Sequence, residues 1–504
     1  MTAALWNQFV TIVERRMQAP AVLAGEDVMS FEALRAAAER LAANIDVEPE
    51  ARVVICANNS PLVIAAVAAI WRSGAIPVLV NAEAPTRHLL HAIDISQPDL
   101  VLGSDTPPEV PSGVRYLDIC RTLPAQEMRQ PAAEGKLHGP GSIVFTSGST
   151  GMPKGVTQSC ANLRDGAARI AAHLGYRPDD RILVSVPFSF DYGWGQVLSL
   201  LLEGIALVLP VPRNGFGVCS ALDTHSPTVF AGVPAVFADL LSGLAPLAET
   251  RRDIIRLITN TGSKIPTPIY DRLLEHFPQA DISLNYGLTE TYRTASLPVE
   301  LARSHPTSVG HAVLGVEIDI LRPDGSRADV DEEGEIIHRG AGTFLGYWND
   351  PETTARILRP DPLNGPDVPP VVFTGDMGWK DSKGLLHISG RRDRQLKSMG
   401  VRVSPDEIEV LLADSGLLDD AAVTALPHDV LGDMIVAAVV PGPEMRDDEK
   451  ALLRALKAHA RKTMSPYMQP RQYVVLQTLP RNPNKKVNYQ ELASLLRIQL
   501  APRQ

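Results

Sequence analysis

Hydrophobic and polar positions change period several times along the chain, and each change marks an element. Residues 1–17 carry an amphipathic pattern with Glu14 inside it and no apolar run leading to a cleavage site. That predicts a first helix and not a signal peptide. Between Ser30 and Asn44 apolar residues recur at helical spacing, with Ser30 as N-cap and Glu32 close behind. Arg52–Ala57 reads as a buried strand, Leu62–Ser73 as a helix and Ala75–Val80 as a strand. This succession is the βαβ unit of a parallel sheet. Short strands follow at Asp99–Leu102 and Val114–Leu117. The segment Ser104–Pro140 contains six prolines and no clear period, which predicts a connector. From Ile143 the alternation resumes, with strands predicted at Arg181–Val186, Ala206–Leu209, Thr228–Ala231, Leu257–Asn260 and Ile282–Asn285. From Glu317 to Arg339 short strands and the Asp324-Gly325 turn predict a β-rich subdomain. A helix from Ile408 and strands at Ala421–Leu426, Asp433–Val440 and Gln472–Val475 predict a compact α+β unit. The chain therefore reads as α/β: a large N-terminal domain with mostly parallel sheets and a β-rich subdomain, then a small α+β C-terminal domain.

Composition narrows this picture. The 504 residues are 45% hydrophobic and 21% charged, as in ordinary globular proteins, so disorder and fibrous folds are disfavoured. A net charge of −10 argues against a nucleic-acid partner, which would need a basic surface. The four cysteines, Cys56, Cys120, Cys160 and Cys219, form no C-x-x-C pair and lie near no histidine at zinc spacing. They read as small buried hydrophobes. The most apolar stretch, Leu62–Val80, is broken by Arg72, Ser73 and Gly74 before it reaches membrane-spanning length. A cytoplasmic protein with no membrane partner is expected.

Candidate chemistry begins at residues 143–156, Ile-Val-Phe-Thr-Ser-Gly-Ser-Thr-Gly-Met-Pro-Lys-Gly-Val. An apolar strand ending at Phe145 runs into glycines, hydroxyls and one lysine. Glycines let backbone N–H groups converge on an anion, Thr146, Ser147, Ser149 and Thr150 add donors, and Lys154 adds a point charge. The pattern predicts a polyphosphate loop, but it does not match a Walker loop.

The same segment resembles the signature loop of the AMP-forming adenylating superfamily, which comprises acyl-CoA synthetases, peptide-synthetase adenylation domains and luciferases. Further motifs occur in that family's order: Gly232-Val233-Pro234, Asn285-Tyr286-Gly287-Leu288-Thr289-Glu290, Gly346-Tyr347-Trp348-Asn349-Asp350-Pro351, Thr374-Gly375-Asp376, the stretch Gly390–Glu409, and Pro483-Asn484-Lys485-Lys486-Val487. The match spans about residues 5–495. The resemblance implies two half-reactions. A carboxylate attacks the α-phosphorus of ATP to give acyl-AMP and pyrophosphate, and a thiol then displaces AMP. It implies ATP and Mg²⁺ as cofactors. By matching position, Thr146, Ser147, Gly148, Ser149, Thr150, Gly151 and Lys154 hold the β- and γ-phosphates. Glu290 is the Mg²⁺ ligand and Thr289 contacts the α-phosphate. Asn285, Tyr286 and Gly287 belong to the ATP site, with Tyr286 stacked on adenine. Asp376 and Arg391 contact the ribose. Lys486 bridges acyl carboxylate and phosphate. In this chain Lys485 stands where the family usually has glycine, so Lys485 could crowd the loop or compete for the role. Asp393 matches the hinge about which the C-terminal domain rotates, dividing the chain into 1–392 and 393–504.

For the acid, Asp191 in Phe190-Asp191-Tyr192 matches the place where amino-acid-activating members hold the substrate's ammonium. Its alternative is a helix cap. Arg293 lies three residues after Glu290, in the loop that lines the acid pocket in this family. It could pair a second carboxylate, or else Asp191 or a phosphate. Tyr192, Trp194, Thr261 and Gly262 are candidate walls. Together these favour a small carboxylic or amino acid, possibly acidic or β-amino. Only 18 residues follow Lys486, too few for a fused carrier domain, which suggests a free-standing enzyme. The resemblance then implies transfer to the phosphopantetheine thiol of a separate acyl or peptidyl carrier protein, or alternatively to free coenzyme A. The enzyme is expected to be a monomer or homodimer.

Overall fold

A computed structural model describes residues 2–84, 86–104, 110–121, 130–132, 137–147, 152–262, 264–394, 396–398, 401–428, 432–464, 468–482 and 485–500. The βαβ prediction is met by the strands Arg52–Cys56 and Ile76–Leu79 around the helix Pro61–Arg72. Ser60 caps that helix by accepting from the Val63 N–H, and Pro61 fills a first-turn position that needs no donor. Ser30 likewise accepts from Ala33 N at 3.1 Å to start the helix Phe31–Asn44.

The large domain is built on two sheets. One of seven described strands is parallel at its centre and ends in an antiparallel hairpin, Pro140–Ser147 against Pro153–Ser159. The strand predicted to stop at Phe145 runs on to Ser147, because pairing of Thr146 with Lys154 and Ser147 with Pro153 extends the ladder. The candidate phosphate loop therefore closes a hairpin. Its residues Gly148–Gly151 lie outside the described residues.

The second sheet contains the expected β-rich part and joins it to the parallel strands. Parallel strands Arg181–Val184, Val229–Gly232, Leu257–Asn260 and Asp281–Tyr286 continue, through the two-residue strand Ala295–Ser296, into the antiparallel strands of residues 308–391. The main apolar core packs helices such as Asp191–Glu203 and Pro61–Arg72 between the layers. No helix among the described residues is long and apolar enough to cross a membrane. The cysteine reading holds for Cys160 and Cys219, which are buried, but Cys120 is exposed and Cys56 only half-buried.

The C-terminal unit shows the strand period directly. Along Gly432–Pro441, Ile435, Ala437 and Val439 pack on one face with the helix Glu449–Thr463. Val436 and Ala438 pack on the other with the helix Tyr489–Leu500.

Candidate active site

The strand Asp281–Tyr286 delivers the central loop. Gly287 suits the close approach there, because a Cβ would lie a tight 3.0 Å from Arg293 Cα and 3.1 Å from Tyr292 O. Thr291 folds the loop back by accepting from Leu288 N at 3.0 Å, and its hydroxyl meets that of Thr294 at 2.9 Å. Thr294 in turn contacts His338 Nδ1 at 3.1 Å. Burial pushes His338 down to about 4, so it is a neutral strut.

Glu290 is held at its carboxylate and at its backbone. Tyr347 donates its OH to Oε1 at 2.6 Å, and Phe344 N donates to the Glu290 carbonyl at 2.9 Å. Next to it, Gln158 Nε2 donates to Thr289 O at 2.8 Å. Burial raises the Glu290 carboxyl above the usual range, and the Tyr347 bond partly offsets this. Lys154 places its ammonium 5.3 Å from the Tyr347 ring centroid. The hairpin and the Glu290 loop therefore share Tyr347. A carboxylate whose charge is penalised by burial fits a hard divalent cation, which would relieve that cost. When bound, Mg²⁺ supplies charge neutralisation on the phosphates.

Tyr286 donates its OH to Asp376 Oδ2 at 2.6 Å, and Arg391 Nη1 lies 3.1 Å from Asp376 Oδ1. Burial first, and then Asp376, push the Tyr286 phenol up, so it stays a donor. Asn285 spends its side chain inside the sheet. Its amide donates to Thr259 Oγ1 and Asn260 O, and its Oδ1 accepts from Ser296 Oγ at 2.6 Å. That leaves it anchoring the strand rather than offering a donor to a nucleotide.

Asp191 is the first residue of the helix Asp191–Glu203. The N-cap position is Phe190, so the capping alternative does not describe it. Gly193 permits the tight entry, since a Cβ there would fall 2.0 Å from Pro187 O. Burial raises the Asp191 carboxyl, while Lys486, the Tyr192 N–H, Arg293 and the Thr289 hydroxyl pull it back. Two cations from different parts of the chain thus act electrostatically on one carboxylate. Arg293 is only 6% exposed, and its Nη1 has no hydrogen-bond partner among the described residues. Lys486 lies with its ammonium 5.2 Å from the Phe190 ring centroid. Gly262, at φ +86°, lies beneath the same ring, where a Cβ would sit 3.3 Å from Phe190 Cζ.

The predicted walls separate on inspection. Thr261 is buried beside Gly262. Tyr192 is buried too, donates to Thr259 O at 2.7 Å, and is pushed up to about 12 by burial. Trp194 is buried in the core. Its indole packs edge-on against Trp71, 6.2 Å between centroids, inside the main core. Two residues that matter were not singled out by the sequence. Phe190 is the platform under Lys486, and Tyr347 is the donor to Glu290. Both stand in quoted motifs, which was the available signal.

Around Asp393 the neighbouring arginines divide. Arg391 pairs backward with Asp376, and Arg392 with Glu335 at 2.6 Å. Arg394 pairs forward with Asp406 and with Glu409 at 2.9 Å. Across this point Ser404 donates to Ser389 O at 2.6 Å, and Arg391 N to Asp406 Oδ2 at 3.2 Å. Gly390, at φ +140°, leaves room for that contact. A Cβ would sit 2.5 Å from both Asp406 Oδ2 and Ser404 Oγ.

Comparison with known proteins agrees with this geometry. Residues 9–348 match the AMP-binding enzyme family and residues 407–486 its C-terminal domain. The chain is 28% identical over 487 residues to a malonate–CoA ligase of Arabidopsis thaliana, covering 88% of this chain and 78% of that protein. It is also 28% identical to a linear gramicidin synthase of Brevibacillus parabrevis, over 95% of this chain but 6% of that much longer protein. Among solved structures, the o-succinylbenzoate CoA synthetase of Bacillus subtilis in complex with its acyl-adenylate superposes with a TM-score of 0.84 at 25% identity, covering 99% of this chain and 98% of that one. That enzyme has also been solved with ATP and magnesium ion. The chain belongs to the AMP-binding enzyme family and is an AMP-forming acid–thiol ligase.

Proposed function

We propose that this enzyme activates a small, polar carboxylic acid as its acyl-AMP and passes the acyl group to free coenzyme A. The carrying observation is the buried Arg293 guanidinium, whose Nη1 has no hydrogen-bond partner among the described residues. A buried guanidinium short of one partner favours an anionic or strongly polar group on the acid, because a long apolar tail would leave it unsatisfied. Asp191 suits an ammonium on the same molecule, as in an acidic or β-amino acid. Lys486 meets the reacting carboxylate and the α-phosphate oxygens, where charge develops during attack. Thr146–Gly151 and Lys154 receive the outer phosphates, Glu290 the magnesium, Tyr286 the adenine, and Asp376 with Arg391 the ribose. Domains 1–392 and 393–504 would rotate about Asp393 between the two half-reactions.

The acceptor reading moves from carrier protein to coenzyme A. Full-length relatives such as the malonate–CoA ligase and the o-succinylbenzoate CoA synthetase are named for coenzyme A, whereas the gramicidin synthase match covers a small part of a long protein. The test is a pyrophosphate-release screen over amino, dicarboxylic, aryl and fatty acids. The best acid is then offered with free coenzyme A or with a phosphopantetheinylated carrier protein. Thioester formed only on the carrier would overturn the coenzyme A reading. Strong turnover of fatty acids alone would overturn the polar-acid reading.

A further inference from the structure

Lys486 is carried on a turn whose backbone is unusual at the residue before it. Lys485 has φ +60°, the left-handed region that glycine enters freely and an L residue enters at a cost. Several contacts hold the turn. Lys485 N donates to Asn482 O at 2.8 Å, and Asn482 N donates to Lys486 O at 2.8 Å. Lys486 N donates to Asn482 Oδ1 at 3.0 Å, and Arg481 and Val487 form an antiparallel bridge. Those bonds clasp Lys486 and hold the N–H side of the peptide between Lys485 and Lys486. Arg481 holds its carbonyl side. One guanidinium nitrogen donates to the Lys485 carbonyl, and the other pairs with the Asp420 carboxylate. Asp420 stands in the strand Leu418–His428, which is hydrogen-bonded along its length to Gly432–Pro441 in the C-terminal sheet. The planar fork of arginine joins the sheet to one turn carbonyl, which a lysine at 481 could not do.

We propose that Arg481, oriented by Asp420, is a positioning residue for the adenylation half-reaction. It props the left-handed turn at Lys485 and so aims the Lys486 ammonium over Phe190. The proposal rests on the reading of Lys486 as the adenylation cation. Its role is confined to the half-reaction that needs Lys486 in the cleft. Lys485 itself takes no part in the chemistry, and its side chain is the cost the brace offsets.

The test compares the full-length wild type with Arg481→Ala, Lys485→Gly, the double variant and Lys486→Ala. Two readouts are taken: pyrophosphate release, and thioester formation from supplied acyl-adenylate. Arg481→Ala should lower the adenylation kcat about tenfold, the scale set by one strained backbone residue, with KM for acid and ATP little changed. Thioester formation should stay within about twofold of wild type by the same argument. Lys485→Gly in the Arg481→Ala background should restore most of the loss, because glycine holds φ +60° without a brace. Asp420→Asn should give a partial version of the same defect. Equal loss in both half-reactions, or no rescue by glycine, overturns the proposal. Normal adenylation by Lys486→Ala would instead overturn the reading on which it rests. A crippled Lys486→Ala beside an unaffected Arg481→Ala would sink the brace alone.

Discussion

Glu290 and Lys486 approach the same cleft from two parts of the molecule, and they are held by different means. Glu290 is partly buried and fixed by Tyr347, by Phe344 and by a loop tied through Thr291 and Thr294 to His338. Lys486 is exposed and rides on a turn whose supports, Asn482 and Arg481, lie within five residues of it. The nucleotide-facing groups are preorganised by contacts distant in sequence. The lysine is held within the C-terminal unit, by Asn482 and by Arg481 with Asp420 behind it. If Lys486 enters for one half-reaction and leaves for the next, as proposed, support from its own unit suits it, since its aim then travels with it.

Removing the lysine should break this contrast most severely. Lys486→Ala should cut pyrophosphate release by about 10²–10³-fold, as for deletion of one preorganised donor to developing charge. Thioester formation from supplied acyl-AMP should fall far less. If Lys485→Ala is the damaging change instead, the loop acts one residue out of register.

The acid pocket comes next. Asp191→Ala should cost on the order of 3 kcal/mol, about a hundredfold in kcat/KM, on acids that carry an amino group. Des-amino analogues should be spared. Arg293→Ala should penalise dicarboxylic acids and spare their monocarboxylic analogues. Uniform losses across a matched acid series would show both residues to be structural.

Tyr347→Phe probes the prebuilt side. It removes a hydrogen bond to a charged partner worth about 1.5 kcal/mol, roughly tenfold in adenylation. The pH profile supplies the sign. Burial already holds the Glu290 carboxyl above its ordinary range, and Tyr347 lowers it. Without Tyr347 it rises further, so the acid limb of kcat/KM should move to higher pH and more Mg²⁺ should be needed. For the ligand-free protein, a raised carboxyl contributes stability at low pH that is lost as pH rises through its folded value. The melting temperature of Tyr347→Phe should therefore fall more steeply than that of wild type as pH rises through that window.

Gly390→Ala should have the smallest effect. Its Cβ would meet Asp406 and Ser404, loosening the contact that seats the C-terminal unit. A cost of about 1 kcal/mol, roughly fivefold in adenylation, is expected. Kinetics of the supplied acyl-adenylate should be nearly unchanged.

Much of this was legible in the sequence, for identifiable reasons. The strand Leu257–Asn260 was found with its predicted bounds because four apolar-rich residues stand between turn signals. The βαβ unit and the C-terminal strands followed from period alone. The joining of the two halves of the large sheet was not legible, because Ala295–Ser296 is too short to show any period. The packing of Trp194 on Trp71 was not legible, because the two residues lie far apart in sequence and only the fold brings them together. Tyr347 was quoted in its motif without a role, since its partner Glu290 lies 57 residues earlier and only the fold brings them together.

That short strand has a mechanical consequence. The parallel half of the sheet carries Tyr286, and the antiparallel half carries Asp376 and Arg391. The halves meet at a waist two residues wide, Asn285 and Tyr286 against Ser296 and Ala295, pinned by the Ser296 to Asn285 side-chain bond. A ligand gripped by Tyr286 and Asp376 together would stitch that seam from outside, adding a second fastening where the sheet is narrowest. Amide exchange at Ala295 and Ser296 should therefore slow when AMP is bound, while the wide ladder between Val316–Leu321 and Gly334–Gly340 keeps its own pace.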